Sequence, residues 1–268
     1  MDIKNKEYYN VYDLVEIVKI LRSPDGCPWD KVQTHGTIRQ DFIEEVYEVI
    51  EAIDDKDTDH LREELGDVLL QVVFHCVLEN EKNSFTLDDV ADEVCRKMIV
   101  RHPHVFGDVA ADTTEQVLKN WDTIKMDTKS QKKASEAMDS VSKTLPSLMR
   151  SEKLQKKANR AGVDYENIEA ALNAVSQNLD TLKSNVKADH RNAYEENIGS
   201  LLFSVVALSR FLQTDCEQSL YYACNQFIDR FKSFEALVEK KGIEIQSLDA
   251  QSLGQLWNEN KKKNLEEI

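Results

Sequence analysis

Proline and glycine are scarce in this chain, four and eight among 268 residues. So few turn formers, with Leu, Ala, Glu and Lys abundant, leave the all-α class. No apolar run reaches the roughly 18 residues that a membrane span needs. The opening MDIKNKEYYN carries no apolar signal region. The five cysteines are odd in number and form no CxxC pair, which predicts free thiols in a reducing cytosol and a cytoplasmic protein. Basic residues are the minority, 34 against 49 acidic ones, for a net charge of −15. That balance argues against nucleic acid as a partner, because such binding needs a basic face. It also means that a polyanionic substrate needs a divalent ion and a local cluster of Lys and Arg to approach. Hydrophobic content of 41% suffices for a buried core, and the length fits one large domain or two of ordinary size.

Against this background residues 37–78 stand out. A first helical run carries Glu44, Glu45 and Glu48 within one narrow wedge at about 100° per residue, with Phe42, Val46, Val49 and Ile53 on its other side. Alone, that is an ordinary solvated acidic face. The second run, 61–78, is apolar in nearly every direction, which is the pattern of a buried helix. On it Glu64, Asp67, Gln71 and His75 form one polar stripe. Buried carboxylates without partners cost several kcal/mol each, so they must be protonated, paired with a base or bound to a cation. The bases between Glu44 and Asp67 are Lys56, His60 and Arg62, none on the acidic faces, which leaves a cation. Oxygen-only ligands favour Mg²⁺ or Mn²⁺ over zinc.

The rest of the chain reads as further helices. The first spans 10–22 and stops at Ser23-Pro24-Asp25-Gly26, followed by an irregular segment Cys27-Pro28-Trp29-Asp30-Lys31-Val32-Gln33-Thr34-His35. Thr37 is the expected N-cap of the acidic helix and Thr86 that of a helix over 87–100, which ends before Pro103. Another helix is expected over 113–129, carrying Trp121 and Lys125. Residues 130–144 read as a polar linker between domains 1–129 and 145–268. The second half holds helices near 147–160, 167–187, 191–212 and 216–240, with a helical tail at 253–263.

The halves repeat. Gly66-Asp67-Val68-Leu69-Leu70-Gln71-Val72-Val73 recurs as Gly199-Ser200-Leu201-Leu202-Phe203-Ser204-Val205-Val206, an offset of 200 − 67 = 133. The same offset carries Glu44, Glu45 and Glu48 to Gln177, Asn178 and Thr181, and Glu64 and Asp67 to Asn197 and Ser200. Every carboxylate of the proposed site is neutral in the second copy, so that half reads as structural or regulatory.

The pattern EExxE…ExxD resembles the metal-binding signature of the all-α nucleoside triphosphate pyrophosphohydrolases. CPWDKVQTH, RHPHVF, NWDTIK and LPSLMRSEKLQKKANRAGVDY, in this order, look like the two-domain MazG proteins. The resemblance implies duplicated helical bundles, usually dimeric with sites between helices. It further implies Mg²⁺-dependent hydrolysis of nucleoside and deoxynucleoside triphosphates to monophosphate and pyrophosphate. In relatives the second half can carry its own carboxylate set; here it does not.

Other residues have two readings each. Lys97 and Arg101 suit phosphate oxygens or simply a dipole-favoured last turn. Trp121 stacks on a base or fills core, and Lys125, one turn on, is the better phosphate ligand of the two. His75 supports a metal ligand or is a satisfied core histidine. Within the leading reading, a hydrolase, the general base is Glu44, Glu45 or Glu48. The alternative is a non-catalytic nucleotide-binding scaffold. A di-iron bundle needs Glu-x-x-His pairs, and none of the six histidines has Glu three residues before it.

Overall fold

The computed structural model describes residues 3–114, 116–117, 120–121, 124 and 133–266. Among them are twelve α-helices and no strand, and no helix is long and apolar enough to cross a membrane. The chain divides into two compact units, Met1–Thr128 and Lys129–Ile268.

In the first unit, α1 (Val11–Arg22) starts at Asn10, whose side chain accepts the Tyr12 and Asp13 amides while Asp13 reaches back to the Asn10 amide. A short helix α2 (Pro28–Val32) forms within the segment expected to be irregular, because Pro28 at its first turn is preorganised for a helix. The segment is fastened by Arg22. Its guanidinium grips Glu81 through Nε and Nη2 at 2.7 and 2.8 Å and donates to the carbonyls of Asp30 and Gln33.

The acidic helix α3 (Arg39–Asp55) begins later than expected, with Ile38 rather than Thr37 at its N-cap. The Thr37 hydroxyl is already engaged across the preceding turn, donating to Gln33 Oε1 at 2.7 Å. Lys56, at φ 57°, closes α3 in the left-handed conformation, and the Asp57 side chain caps α4 (Thr58–Asn80). Two residues thus join α3 to α4 in a tight antiparallel hairpin. α5 (Leu87–Arg101) opens on a capping box between Thr86 and Asp89, and α6 (Pro103–Phe106) follows the proline break.

The core of this unit joins Val18 of α1, Ile38, and Val73, Phe74, Val77 and Leu78 of α4, flanked by Leu14, Val15 and Leu87. Only the C-terminal half of α4 is therefore enclosed. Leu65 and Leu69, toward the other end, are 51% and 40% exposed. This corrects the expectation of a helix buried along its whole length: one unit supplies neighbours to half of it. Of the helix expected over 113–129, Thr114, Gln116, Val117, Asn120, Trp121 and Ile124 are helical. Lys125 lies outside the described residues.

The second unit repeats the order. α7 (Ala134–Asp139) lies in the stretch read as linker, yet Ala137 and Val141 are buried. Small apolar side chains in a polar-looking segment are enough to tie it to a core. α8 (Ser147–Arg160) packs on α10 (Tyr194–Phe211), which pairs with α9 (Ile168–Lys187) as α4 pairs with α3. α11 (Cys216–Lys240) and α12 (Ala250–Glu266) complete the unit. Phe234 meets Trp257 edge-on at 5.3 Å, and the Arg230 guanidinium lies 4.1 Å above the same indole.

Candidate functional site

The α3–α4 hairpin turns the two acidic faces toward each other. Ligand oxygens of Glu45, Glu48 and Glu64 all lie within 4.8 Å of one another. Because the helices are antiparallel, Glu48 stands level with Glu64, and Glu45, one turn back, stands level with Asp67. The electrostatics follow this register. Burial pushes the Glu45 carboxyl above the ordinary range, with the charges of Asp67 and then Glu48 adding to it. Glu64 is raised by burial first and then by the charge of Glu48 and a hydrogen bond to it. Only 8% of Glu64 is exposed. Glu44 is exposed and outside this group.

Sequence reasoning missed one member. His60 Nε2 lies 3.0 Å from Glu64 Oε1, so a base does reach the acidic face, and its charge opposes the rise at Glu64. The spacing of four along α4 was the available signal. A single imidazole does not neutralise three converged glutamates with Asp67 beside them. Three carboxylates within one small volume fit a hard divalent ion, which takes oxygen ligands at roughly 2.0–2.6 Å. Glu45, Glu48 and Glu64 are the residues that meet that requirement geometrically, with Asp67 next to them.

His75 is occupied elsewhere. Its Nδ1 faces His35 Nδ1 at 2.6 Å with the rings stacked, and His35 Nε2 reaches Glu79 Oε1 at 2.6 Å. One proton fits between the two Nδ1 atoms, so one ring donates and the other accepts. Burial and the neighbouring His35 both push the His75 pKa down. Glu79 is held down to about 2 by hydrogen bonds from Lys82 and His35.

A second group forms at the end of α5. The Arg101 guanidinium lies 5.4 Å from the Trp121 ring centre, and His102 meets the same indole edge-on at 4.8 Å. His102 Nδ1 donates to the Met98 carbonyl. Arg101 and Trp121, singled out separately from the sequence, are thus neighbours, while Lys97 is exposed on α5.

In the second unit the hairpin persists without its charge. Asn178 and Ser200 stand where Glu45 and Asp67 stand in the first, and Asn178 Nδ2 donates to the Ser200 carbonyl at 3.3 Å.

Residues 33–106, which contain the whole carboxylate hairpin, match the family model of the MazG nucleotide pyrophosphohydrolase domain. The chain is 41% identical over 249 residues to the nucleoside triphosphate pyrophosphohydrolase/pyrophosphatase MazG of Thermotoga maritima, covering 93% of this chain and 94% of that protein. It is 36% identical over 256 residues to the nucleoside triphosphate pyrophosphohydrolase of Escherichia coli K12, with 94% and 97% covered. With the Bacillus subtilis protein YabN it shares 41% identity over 258 residues, 95% of this chain but 52% of that one. Similarity at this level along almost the entire length, together with the converged carboxylates, makes the chain a member of the MazG nucleotide pyrophosphohydrolase family.

Proposed function

We propose that this protein hydrolyses nucleoside and deoxynucleoside triphosphates to the monophosphate and pyrophosphate, at a single site in the first unit. The observation that carries this is the convergence of Glu45, Glu48 and Glu64 within 4.8 Å beside Asp67, on a chain related to named pyrophosphohydrolases over more than nine-tenths of its length. The five carboxylates Glu44, Glu45, Glu48, Glu64 and Asp67 hold Mg²⁺, with Mn²⁺ as substitute. An ion bound there supplies positive charge for phosphate oxygens and for the leaving pyrophosphate.

The protein's own groups do the rest. Among Glu44, Glu45 and Glu48, one carboxylate not fully engaged by the ion orients the attacking water and takes its proton. Glu64 is steadied by His60. Arg101 and Lys97 receive phosphate, and Lys125 joins them as a phosphate ligand. Trp121, with Arg101 already stacked against it, offers a flat face to the base.

The assembly is a homodimer. The α3–α4 hairpin exposes Ile43, Val46, Tyr47, Ile50, Leu65 and Leu69, and apolar surface of this extent on a soluble chain calls for a partner. A second copy of the same chain supplies one. The cysteine pattern fits a cytoplasmic location.

The test is a panel of ribo- and deoxynucleoside triphosphates with Mg²⁺, with products identified by chromatography. Monophosphate and pyrophosphate in equal amounts are expected. Release of orthophosphate, or no turnover on any nucleotide, overturns the reading.

A further inference from the structure

The second unit has lost its carboxylates and kept a cleft where they would stand. A space of about 520 Å³ is lined by Asn178, Glu196, Gly199 and Ser200, with Tyr165 and Phe203 also in its wall. Tyr165 and Phe203 also line a neighbouring apolar trough of about 450 Å³, walled by Leu154, Val163 and Ala207. The two spaces share Tyr165 and Phe203 as a common wall, on the groove side of α8, α9 and α10.

The floor of the trough is built and buried. Gln155, 6% exposed, donates from Nε2 to the Phe203 carbonyl at 2.8 Å and accepts Arg210 Nη1 at 3.2 Å. The Arg210 side chain is 9% exposed and forms an ion pair with Asp164. Beyond that pair lies a third space of about 570 Å³, where Lys156, Arg160 and Arg210 are matched by Glu152, Asp164 and Asp215. The charged end therefore carries no net charge.

These three zones have a chemical complement. Two aromatic rings beside an apolar wall suit a flat heterocycle, since every base has a face that stacks. The Asn178 amide oxygen, the Ser200 hydroxyl and the Glu196 carboxylate, all in the wall of the cleft, suit its hydrogen-bonding edge or the hydroxyls of a sugar. A single phosphate can exchange with Asp164 for the Arg210 guanidinium, whose planar fork takes either group in two parallel hydrogen bonds. A triphosphate fits poorly, because the lining holds no surplus positive charge and Glu196 alone is no carboxylate set for a cation.

We propose that the second unit is a metal-independent binding site for a nucleoside monophosphate. If the first unit makes that compound, as argued above, the groove senses product. The inference rests on that reading only for its purpose; binding itself is measured without turnover.

The experiment is isothermal titration of the full-length protein with AMP, GMP, CMP and UMP in excess EDTA. Saturable binding of one nucleotide per chain is expected. Tyr165→Ala removes a stacking face and weakens it about tenfold. Gly199→Leu fills the cleft, and since a Cβ there meets nothing within 4 Å, its helix remains intact, which circular dichroism checks. Glu48→Gln, in the other unit, leaves the affinity unchanged. Absence of saturable binding at millimolar nucleotide overturns the proposal, as does binding lost in Glu48→Gln but retained in Tyr165→Ala. A negative nucleotide panel with Mg²⁺ would sink the hydrolase reading and leave this titration standing, so the two can fail separately.

Discussion

Glu48 stands between the Glu45 and Glu64 carboxyls, both raised above the ordinary range chiefly by burial, and its charge and hydrogen bond add to both shifts. Replacing it by the isosteric amide keeps the shape of the hairpin and removes one ligand oxygen's charge. Glu48→Gln and Asp67→Asn should each reduce pyrophosphate release by at least about a hundredfold, while Gln177→Ala in the second copy leaves the rate nearly unchanged. The reverse pattern in a coupled pyrophosphate assay would move the site to the other unit. A different pH response belongs to Glu79. Its carboxyl, ordinarily at 4.5, sits at about 2 because Lys82 and His35 bond the charged form. A folded-state pKa below the unfolded one gives stability that is present above 4.5 and lost as pH falls toward 2. Glu79→Gln should therefore lower the melting temperature at neutral pH and flatten its decline in acid; a variant melting in parallel with the parent throughout would refute this. At this scale the sequence was readable where spacing along one helix decides proximity. It was not where two segments meet: nothing in the order of residues places His35 on His75. His60, which the sequence reading sets off the acidic faces, reaches Glu64 at a spacing of four.

The element proposed to carry the chemistry is the α3–α4 hairpin, and its counterpart α9–α10 is a natural control. Both pair a partly buried helix with an amphipathic one, yet only the first brings three carboxylates together among the described residues. Like charges forced into one volume destabilise the hairpin unless a cation neutralises them, so Mg²⁺ should act as a stabilising ligand. At about 100 times the dissociation constant the gain is about 2.7 kcal/mol, visible as a rise in melting temperature. Replacing Glu64 by Asn and Asp67 by Ser, the residues of the second copy, should abolish that rise without unfolding the protein. A parent protein whose melting point ignores millimolar Mg²⁺ and Mn²⁺ would count against the cation site. Helix limits were well legible here, because capping residues announce them: Asn10, Thr86 and Asn167 each begin a helix as composition and position suggest. Thr37 failed as a cap because its hydroxyl is spent on Gln33, a contact that exists only once the turn has formed. Residues 134–139 failed as linker for a related reason, since one buried alanine outweighs a polar average.

At the scale of the whole molecule, the all-round apolar character of α4 now has a specific meaning. Within its unit the helix encloses Val73, Phe74, Val77 and Leu78 and leaves Leu65 and Leu69 in solvent, and its partner α3 likewise exposes Val46 and Ile50. Burying apolar surface is worth roughly 25 cal/mol per Å², so a handful of such side chains supplies a driving force that an isolated chain leaves unused. The exposed stretch adjoins the carboxylate cluster, and a second copy seated on it would cover the hairpin and close the nucleotide site at once. A homodimer is therefore expected, and with it a coupling between assembly and activity. Static light scattering on the full-length protein should give twice the chain mass. A fragment of residues 1–130 should aggregate or lose most of its turnover, because it gives up half of the assembly while keeping every carboxylate. Leu69→Glu tests the same interface in the intact chain: a charge at the centre of the exposed stretch should shift the scattering mass toward the monomer and lower the rate together with it. A monomeric full-length enzyme of undiminished activity, or a fragment as soluble and active as the whole, would show that the hairpin works alone and that the exposed leucines serve something else.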